Sequence, residues 1–190
     1  SEFEAIGRGG SFLGKVSQAL VVSVGTGTAL VHVDGDEITH WGGTGVGGGT
    51  IVGLSKLLLG ISDVDMIGRR AAEGRLDLVD LLVGDIAGGD LPGLAAGLTA
   101  ANFGKTRDDA RDSDVALAIL NLVFQTVGIV AQGAARSVGT DTVVVTGKSA
   151  TLPQAADVLA QLSHLYGIKY IIPEGAAYAT ALGAALAITR

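Results

Sequence analysis

The stretch that decides the fold is Val21–Leu59, which reads VVSVGTGTALVHVDGDEITHWGGTGVGGGTIVGLSKLLL. It opens with the β-branched run Val21–Val24, which is typical of a buried strand. Further along, Asp34–Asp36 (Asp-Gly-Asp) predicts a tight hairpin, because glycine readily supplies the positive φ of such a turn. A second strand, with Val31 and Val33 on one face, precedes this turn, and a third strand, Glu37–Trp41, follows it. The stretch therefore predicts three antiparallel strands.

Two glycine- and threonine-rich loops lie on either side of this predicted hairpin. The first is Gly25–Thr28, and the second, Gly42–Thr50, reads GGTGVGGGT. After the second loop the spacing of apolar residues changes from two to about 3.6, with Ile51, Leu54 and Leu58 on one face, so a helix should begin there. Glycines let backbone N–H groups approach a ligand, and the start of a helix favours an anion, so the two loops predict a phosphate site. The alternative is that they only close turns, since neither the Walker spacing nor a full Rossmann fingerprint is present.

Composition excludes several classes of function. The chain has 190 residues, a mass of 19.0 kDa and a formal net charge of −6, and no basic stripe offsets that charge. A partner held through nucleic-acid phosphates is therefore not expected. Cysteine is absent, which excludes disulfides and thiolate metal sites. The three histidines show no metal-ligand spacing, so no metal site is predicted; they are His32, His40 and His164.

One segment is apolar enough to raise the question of a membrane. Val115–Ala135 carries no charge, but it contains two glycines and polar side chains such as Asn121 and Gln132. This mixture predicts a buried helix, partly in a subunit interface, rather than a membrane span. We expect no signal peptide, no membrane partner and a cytoplasmic location.

The rest of the chain predicts further helices and strands. A helix capped by Ser62-Asp63 should run through Arg70, and the short helix Leu76–Val83 should follow with Asp77 and Asp80 facing outward. The other predicted elements are a short helix or connector at Phe12–Gln18, a surface loop at Gly84–Gly97, the central strand Thr142–Thr146, the helix Leu152–Tyr166, the strand Lys169–Ile172 and the closing helix Ala176–Ile188.

This order of elements resembles the C-terminal half of the actin-like (ribonuclease H-like) kinase fold, an α/β fold with a mixed sheet of three antiparallel and then two parallel strands flanked by helices. Within that superfamily, the sequence is similar to the type II (eukaryotic-like) pantothenate kinases. The matching pieces are Glu2–Ala5 (EFEA), Val24–Thr28 (VGTGT), Gly42–Gly53 (GGTGVGGGTIVG) and Ala100–Gly104 (AANFG), while Val143–Gly147 resembles the element beside adenosine. The resemblance implies that residues 1–190 form a single domain.

The resemblance implies phosphorylation of pantothenate by ATP and Mg²⁺, the first step of coenzyme A synthesis, in a homodimer. Phosphoryl transfer needs positioning, charge neutralisation and a group that takes the hydroxyl proton. In the family a glutamate takes that proton, and Glu2 resembles it; the alternative is a solvated terminal carboxylate. If residues 2–4 are extended, Glu4 shares a face with Glu2 and is the next carboxylate to consider.

The same resemblance assigns two groups of binding residues. Those implied to face the ATP phosphates are Gly25, Thr26, Gly27, Thr28, Gly47, Gly48 and Gly49. Those implied to line the acceptor pocket are Thr26, His40, Asn102, Phe103 and Gly104.

Three departures from the family pattern bear on the function, the first on the ATP cleft and the other two on the acceptor. The Asp-x-Gly-Gly-Thr phosphate loop of the family's N-terminal domain is absent from this sequence. An arginine expected before the second glycine-rich loop is His40, and a serine expected after the first is Ala29. Losing the charge-assisted bond of that arginine typically costs about 1.5–3 kcal/mol. Three functions therefore stay open: a pantothenate kinase, an actin-like kinase with another small acceptor, and a non-catalytic nucleotide-binding or interaction module.

Overall fold

The computed structural model describes residues 1–188 of the chain, which contain seven α-helices and seven strands. In chain order the helices are α1 (Glu2–Gly14), α2 (Gly48–Leu59), α3 (Val64–Ala71), α4 (Val83–Ala87), α5 (Asp112–Ser137), α6 (Pro153–Tyr166) and α7 (Ala179–Ile188). The strands are β1 (Gln18–Val24), β2 (Thr28–Asp34), β3 (Glu37–Thr44), β4 (Leu81–Leu82), β5 (Thr99–Ala101), β6 (Thr142–Thr146) and β7 (Lys169–Ile171).

The main sheet has five strands in the order β3-β2-β1-β6-β7. Strand β2 pairs antiparallel with both β1 and β3, whereas β6 is parallel to β1 and to β7. The predicted turn joins β2 to β3, with Gly35 at a φ of 59°. Strand β6 is buried along most of its length, as its β-branched sequence predicts. The predicted α/β class, with a mixed five-stranded sheet flanked by helices, is therefore confirmed.

The chain divides into two compact units, which are described separately. The first comprises residues 1–50 and 124–190 and contains the five-stranded sheet. The second comprises residues 51–123 and contains the two-stranded antiparallel pair β4–β5, which the sequence did not predict. The expectation of a single domain stays a prediction.

Helix α1 packs on the sheet through its glycines. A Cβ atom at Gly7 would lie 2.6 Å from the Ile38 side chain, and one at Gly10 would collide with Val21 of β1. On the same helix, a Cβ at Gly9 would collide with the backbone of Ala179 in α7. Because these glycines have no side chain, the backbone of α1 can approach the sheet and α7 closely.

The prediction for this segment is wrong in extent. A short helix or connector was expected at residues 12–18, but α1 begins at Glu2, ends at Gly14 and is followed by β1 from Gln18. Four glycines lower the helix propensity of α1, and burial against the sheet overrides that preference.

The predicted helix over residues 76–83 is also wrong. Leu76–Leu78 forms a single 3₁₀ turn, β4 follows at Leu81, and α4 begins at Val83 and extends into the predicted surface loop. The expected outward orientation fails for Asp80, which is fully buried. By contrast, the predicted helix start after Asp63 is confirmed, because the Asp63 side chain accepts a hydrogen bond from the Met66 amide (2.7 Å).

Helix α5 is the one helix among residues 1–188 that is long and apolar enough to cross a membrane. Within its most apolar window, 61% of the residues are buried inside the protein. Its side chains Ile119, Leu120 and Phe124 are fully buried. The predicted buried helix is therefore confirmed, and it extends beyond the predicted residues 115–135 at both ends.

Asp114, in the first turn of α5, should make the stability of the folded protein depend on pH in the acid range. Its carboxylate is fully buried and accepts hydrogen bonds from the Arg111 side chain and from the backbone amides of Arg111 and Arg75 (2.8 Å each). These bonds, that of the Arg111 side chain first, lower the pKa of Asp114 from an ordinary 3.8 to about 2. The folded state thus gains stability above the unfolded pKa and loses it as the pH falls from about 4 towards 2.

We expect Asp114→Asn to lower the free energy of unfolding by about 1–2 kcal/mol at pH 7, a value that allows for solvent screening around the exposed Arg111. The deficit should shrink as both proteins are taken to about pH 2.5, where the aspartate is largely protonated when unfolded. Urea titrations at the two pH values measure it. An equal deficit at both pH values would mean that the charge of Asp114 contributes nothing.

Candidate functional site

The two predicted glycine-rich loops contact each other where β1 ends. The Gly48 amide donates to the Gly25 carbonyl (2.8 Å), and the Gly49 amide donates to the Thr26 carbonyl (2.8 Å). A Cβ atom at Gly47 would lie 2.7 Å from the backbone carbonyl of Gly27, so the backbones come closer than any side chain would permit. The structure thus brings both loops to one edge of the sheet.

The backbone donors of the two loops differ in availability. The first amides of α2 already bond to the first loop, and the Gly47 amide donates to the hydroxyl of Thr50 (3.2 Å). In contrast, within residues 1–188 the amides of Gly25, Thr26 and Gly27 donate no hydrogen bond. Successive amides in a turn form a concave site for an anion. The second loop therefore stabilises the first loop by hydrogen bonds, and the first loop carries the amide donors that remain available to an anion.

The hydroxyl of Thr28 forms a further hydrogen bond between the two loops. It donates to the carbonyl of Val46 (2.8 Å), and the Thr28 residue is only 5% exposed. Thr28 is therefore turned towards the second loop, and its hydroxyl proton is engaged there.

A third segment reaches the same edge because β6 runs parallel to β1. Gly147, which follows β6, has a φ of 103° and lies against the backbone of Val24. Next along the chain, the Ser149 hydroxyl lies 2.7 Å from the position that a Cβ of Gly48 would take. Ser149 was not among the predicted site residues, although the Gly-Lys-Ser sequence after a buried strand is the signal that points to it.

The start of α1 lies beside β3. The Phe3 ring stacks on the His40 ring, with centroids 3.8 Å apart and an angle of 14° between the planes. Glu2 precedes Phe3 and is exposed, and within residues 1–188 its side chain makes no hydrogen bond or ion pair. Residues 2–4 are helical, not extended, so the expectation that Glu2 and Glu4 share a face is wrong. Two helical residues rotate the side chain by about 200°.

In the second unit, Asn102, Phe103 and Gly104 form a turn after β5 that is held by Asp80. The Oδ1 atom of Asp80 accepts a hydrogen bond from the Phe103 amide (2.8 Å). Its Oδ2 atom faces three more donors: Asn121 Nδ2 (2.8 Å), Thr99 Oγ1 (3.1 Å) and Asn102 Nδ2 (3.4 Å). The sequence identified the turn but missed the carboxylate that organises it.

Hydrogen bonds alone stabilise the buried charge of Asp80. Within residues 1–188 no ion pair forms there: Arg75, the cation nearest in sequence, binds Asp77 (2.6 Å), and Lys105 binds Asp85 (2.8 Å). Burying an ionised carboxylate costs several kcal/mol, and each hydrogen bond to a charged group returns about 1.5–3 kcal/mol. Phe103 adds strain because its φ of 56° lies in the left-handed region, which costs a non-glycine residue about 1–2 kcal/mol. The turn therefore depends on Asp80.

Residues 1–188 provide no metal site of their own. No group of three or more His, Cys, Asp or Glu side chains in this part of the chain is placed to hold an ion. Mg²⁺ at phosphoryl-transfer sites is usually held by one or two carboxylates together with the phosphates of the substrate, and no described side chain is assigned to it.

Comparison with known proteins places these features in a family context. A model of the Fumble family matches residues 15–187. A type II pantothenate kinase from Staphylococcus haemolyticus is 34% identical over 196 residues, which cover 96% of this chain and 73% of the relative. Type II pantothenate kinases from Bacillus cereus and Bacillus anthracis are 38% and 34% identical over 67% and 78% of the chain. The chain spans 50% and 57% of the length of these two Bacillus relatives.

Proposed function

The chain belongs to the Fumble family of type II pantothenate kinases, and on that premise we propose that it takes part in the phosphorylation of pantothenate by ATP, the first step of coenzyme A synthesis. The observation that carries this proposal is the contact between the two glycine-rich loops, in which the amides of residues 25–27 are left as donors. A phosphoryl-transfer site needs such fixed donors to hold the charged phosphates.

The proposed mechanism uses the edge of the sheet where β1 and β6 end. The amides of Gly25, Thr26 and Gly27 hold the phosphates of ATP, and residues 47–49 hold that loop in place. The buried hydroxyl of Ser149, beside Gly48, is close enough to this edge to contribute a further hydrogen bond. The segment after β6 then lies on the adenosine side, as the actin-like kinase fold would have it.

The acceptor side of the proposal rests on Glu2 and on residues Thr26, His40 and 102–104. Glu2 takes the proton of the attacking hydroxyl, and its unpaired carboxylate is free to do so. His40 stands where the family pattern has arginine, and its ring is engaged by Phe3. This difference favours a second candidate, a kinase of the same fold that acts on another small acceptor with less negative charge.

We further propose that the protein acts in the cytoplasm. Mg²⁺ enters only as the ion that accompanies ATP, and none of the described side chains is assigned to it.

Product detection tests the proposed function. The natural protein that carries this chain is incubated with ATP and a panel of pantothenate-like acceptors, and the products are identified by mass spectrometry. Transfer of one phosphoryl group to pantothenate supports the leading proposal. Transfer only to another acceptor supports the second candidate, and ATP binding without any product identifies a non-catalytic module.

A homodimer in which α5 lies at the two-fold axis is part of the proposal. Ile129 is 38% exposed on this helix, and one turn later a Cβ at Gly133 would meet no atom within 4 Å. Both positions are exposed and neither carries a polar side chain, so a second copy can approach the helix closely at this point. We expect light scattering to give twice the mass of the chain, and Gly133→Glu to reduce it to one chain without unfolding it. A dimer that survives the substitution, or an unmodified monomer, would contradict this assignment.

A further inference from the structure

We propose that Asp80 is a positioning residue for the acceptor, and that it fixes the amide of Asn102 so that the carbonyl oxygen of that side chain faces the acceptor. The inference rests on the proposed function, because it takes the turn at residues 102–104 to line the acceptor pocket. No comparison or sequence motif points to Asp80.

The direction of the hydrogen bonds to Asp80 orients the Asn102 side chain. An ionised carboxylate only accepts, so both Asn102 and Asn121 must turn their Nδ2 atoms towards Asp80. The Oδ1 atom of Asn102 is then directed away from Asp80, and within residues 1–188 it accepts no hydrogen bond. Asn102 is only partly buried, so this oxygen is accessible from outside.

Asp80 also fixes the backbone of the turn. The Phe103 amide donates to Asp80 Oδ1 (2.8 Å), and this bond holds Phe103 at its left-handed φ of 56°. The Gly104 amide then closes the turn on the carbonyl of Ala101 (3.1 Å). Asp80 thus sets the backbone and the side-chain orientation of the turn together.

The chemistry of the exposed oxygen defines the class of acceptor. Asn102 Oδ1 is a hydrogen-bond acceptor, so it selects a ligand that presents an N–H or O–H group to it. An amide-containing hydroxy compound satisfies this requirement, and the corresponding ester, which lacks the N–H, does not. Since a site that is built to bond an N–H discriminates strongly against an analogue without it, Asp80 contributes to specificity through Asn102.

The test compares Asp80→Asn with Asp114→Asn in the natural protein. Both aspartates are fully buried, and both accept hydrogen bonds from backbone amides, but only Asp80 contacts the turn. We expect Asp80→Asn to raise the KM for the acceptor by about tenfold or more, to reduce the preference for the amide over its ester analogue, and to leave the KM for ATP within about twofold. Asp114→Asn should change none of these three values.

A second measurement does not depend on activity. Hydrogen exchange followed by mass spectrometry should show faster exchange of residues 99–107 in Asp80→Asn, with unchanged exchange in β1 and β2. If this variant does not fold, Thr99→Val removes only one of the four donors to Asp80 and should give the same pattern with a smaller rise in KM, about two- to fivefold.

The outcomes separate the two proposals. Unchanged exchange at residues 99–107 would overturn the positioning role of Asp80. Faster exchange with an unchanged acceptor KM would overturn the link between the turn and the acceptor. An unmodified protein that phosphorylates nothing would overturn the proposed function and the acceptor half of this inference, and the exchange data alone would then decide whether Asp80 orders the turn.

Discussion

Replacing Gly48 by alanine is expected to weaken ATP binding by about tenfold or more. The new Cβ would lie 2.7 Å from the Ser149 hydroxyl and 2.8 Å from the Gly25 carbonyl, so one of these groups must move. The carbonyl cannot move without stretching the hydrogen bond from the Gly48 amide, which ties α2 to the first loop. The amides of residues 25–27 would then no longer converge on the phosphates. Calorimetry with ATP measures the loss.

Gly53→Ala is the matched control, because it adds the same methyl group to the same helix. A Cβ at Gly53 would meet no atom within 4 Å, so ATP affinity should be unchanged. Alanine should also stabilise the helix by up to about 1 kcal/mol. Equal ATP affinities for the Gly48 and Gly53 variants would mean that the second loop does not contribute to ATP binding.

Replacing Glu2 by glutamine is expected to reduce turnover by about 10²–10⁴-fold with little change in ATP affinity. Glutamine keeps the size of the side chain but cannot take the proton of the attacking hydroxyl. The effect should fall on kcat, because the proposed base contacts the acceptor and not the nucleotide. Steady-state kinetics and ATP calorimetry on the same preparation separate the two quantities.

Glu4→Gln is the control for that substitution. Both carboxylates lie in the first turn of α1 and interact favourably with the helix dipole, and Glu4 also binds the amino group of Ser1 (2.7 Å), so the control removes at least as much helix-end stabilisation as Glu2→Gln. Glu4 points about 200° away from Glu2 around the helix and should leave turnover within about twofold. A Glu2 variant that keeps most of its turnover would exclude Glu2 as the base.

The parts of the fold that could be predicted from the sequence are those with strong local signals. The hairpin at Gly35, the strand Thr142–Thr146 and the helix after the second loop each follow from a turn residue or a clear periodicity, although that helix begins at Gly48, within the loop. Helix α1 could not be predicted in full, because the glycines that weaken it locally are the residues that let it pack on Val21 and on α7.

The convergence of the two glycine-rich loops was predicted from the sequence, but the hydrogen bonds between them were not. The sequence indicated two anion-binding loops, but only the structure reveals that Gly48 and Gly49 donate to the other loop. Asp80 looked like one of two outward-facing acids, since its four donors come from positions as distant as Asn121. Hydrogen bonds between residues so far apart in the chain produce no local pattern in a single sequence, so they could not be predicted from it.

The most direct test of the central claim is an amide NMR titration of the ¹⁵N-labelled natural protein with a non-hydrolysable ATP analogue. Our account predicts saturable shifts at the amides of Gly25, Thr26 and Gly27, which donate no hydrogen bond within residues 1–188. It predicts much smaller shifts at Gly48 and Gly49, whose amides stay bonded to the Gly25 and Thr26 carbonyls. Large shifts at Gly48 and Gly49 with none at residues 25–27, or no shifts at either loop, would contradict it.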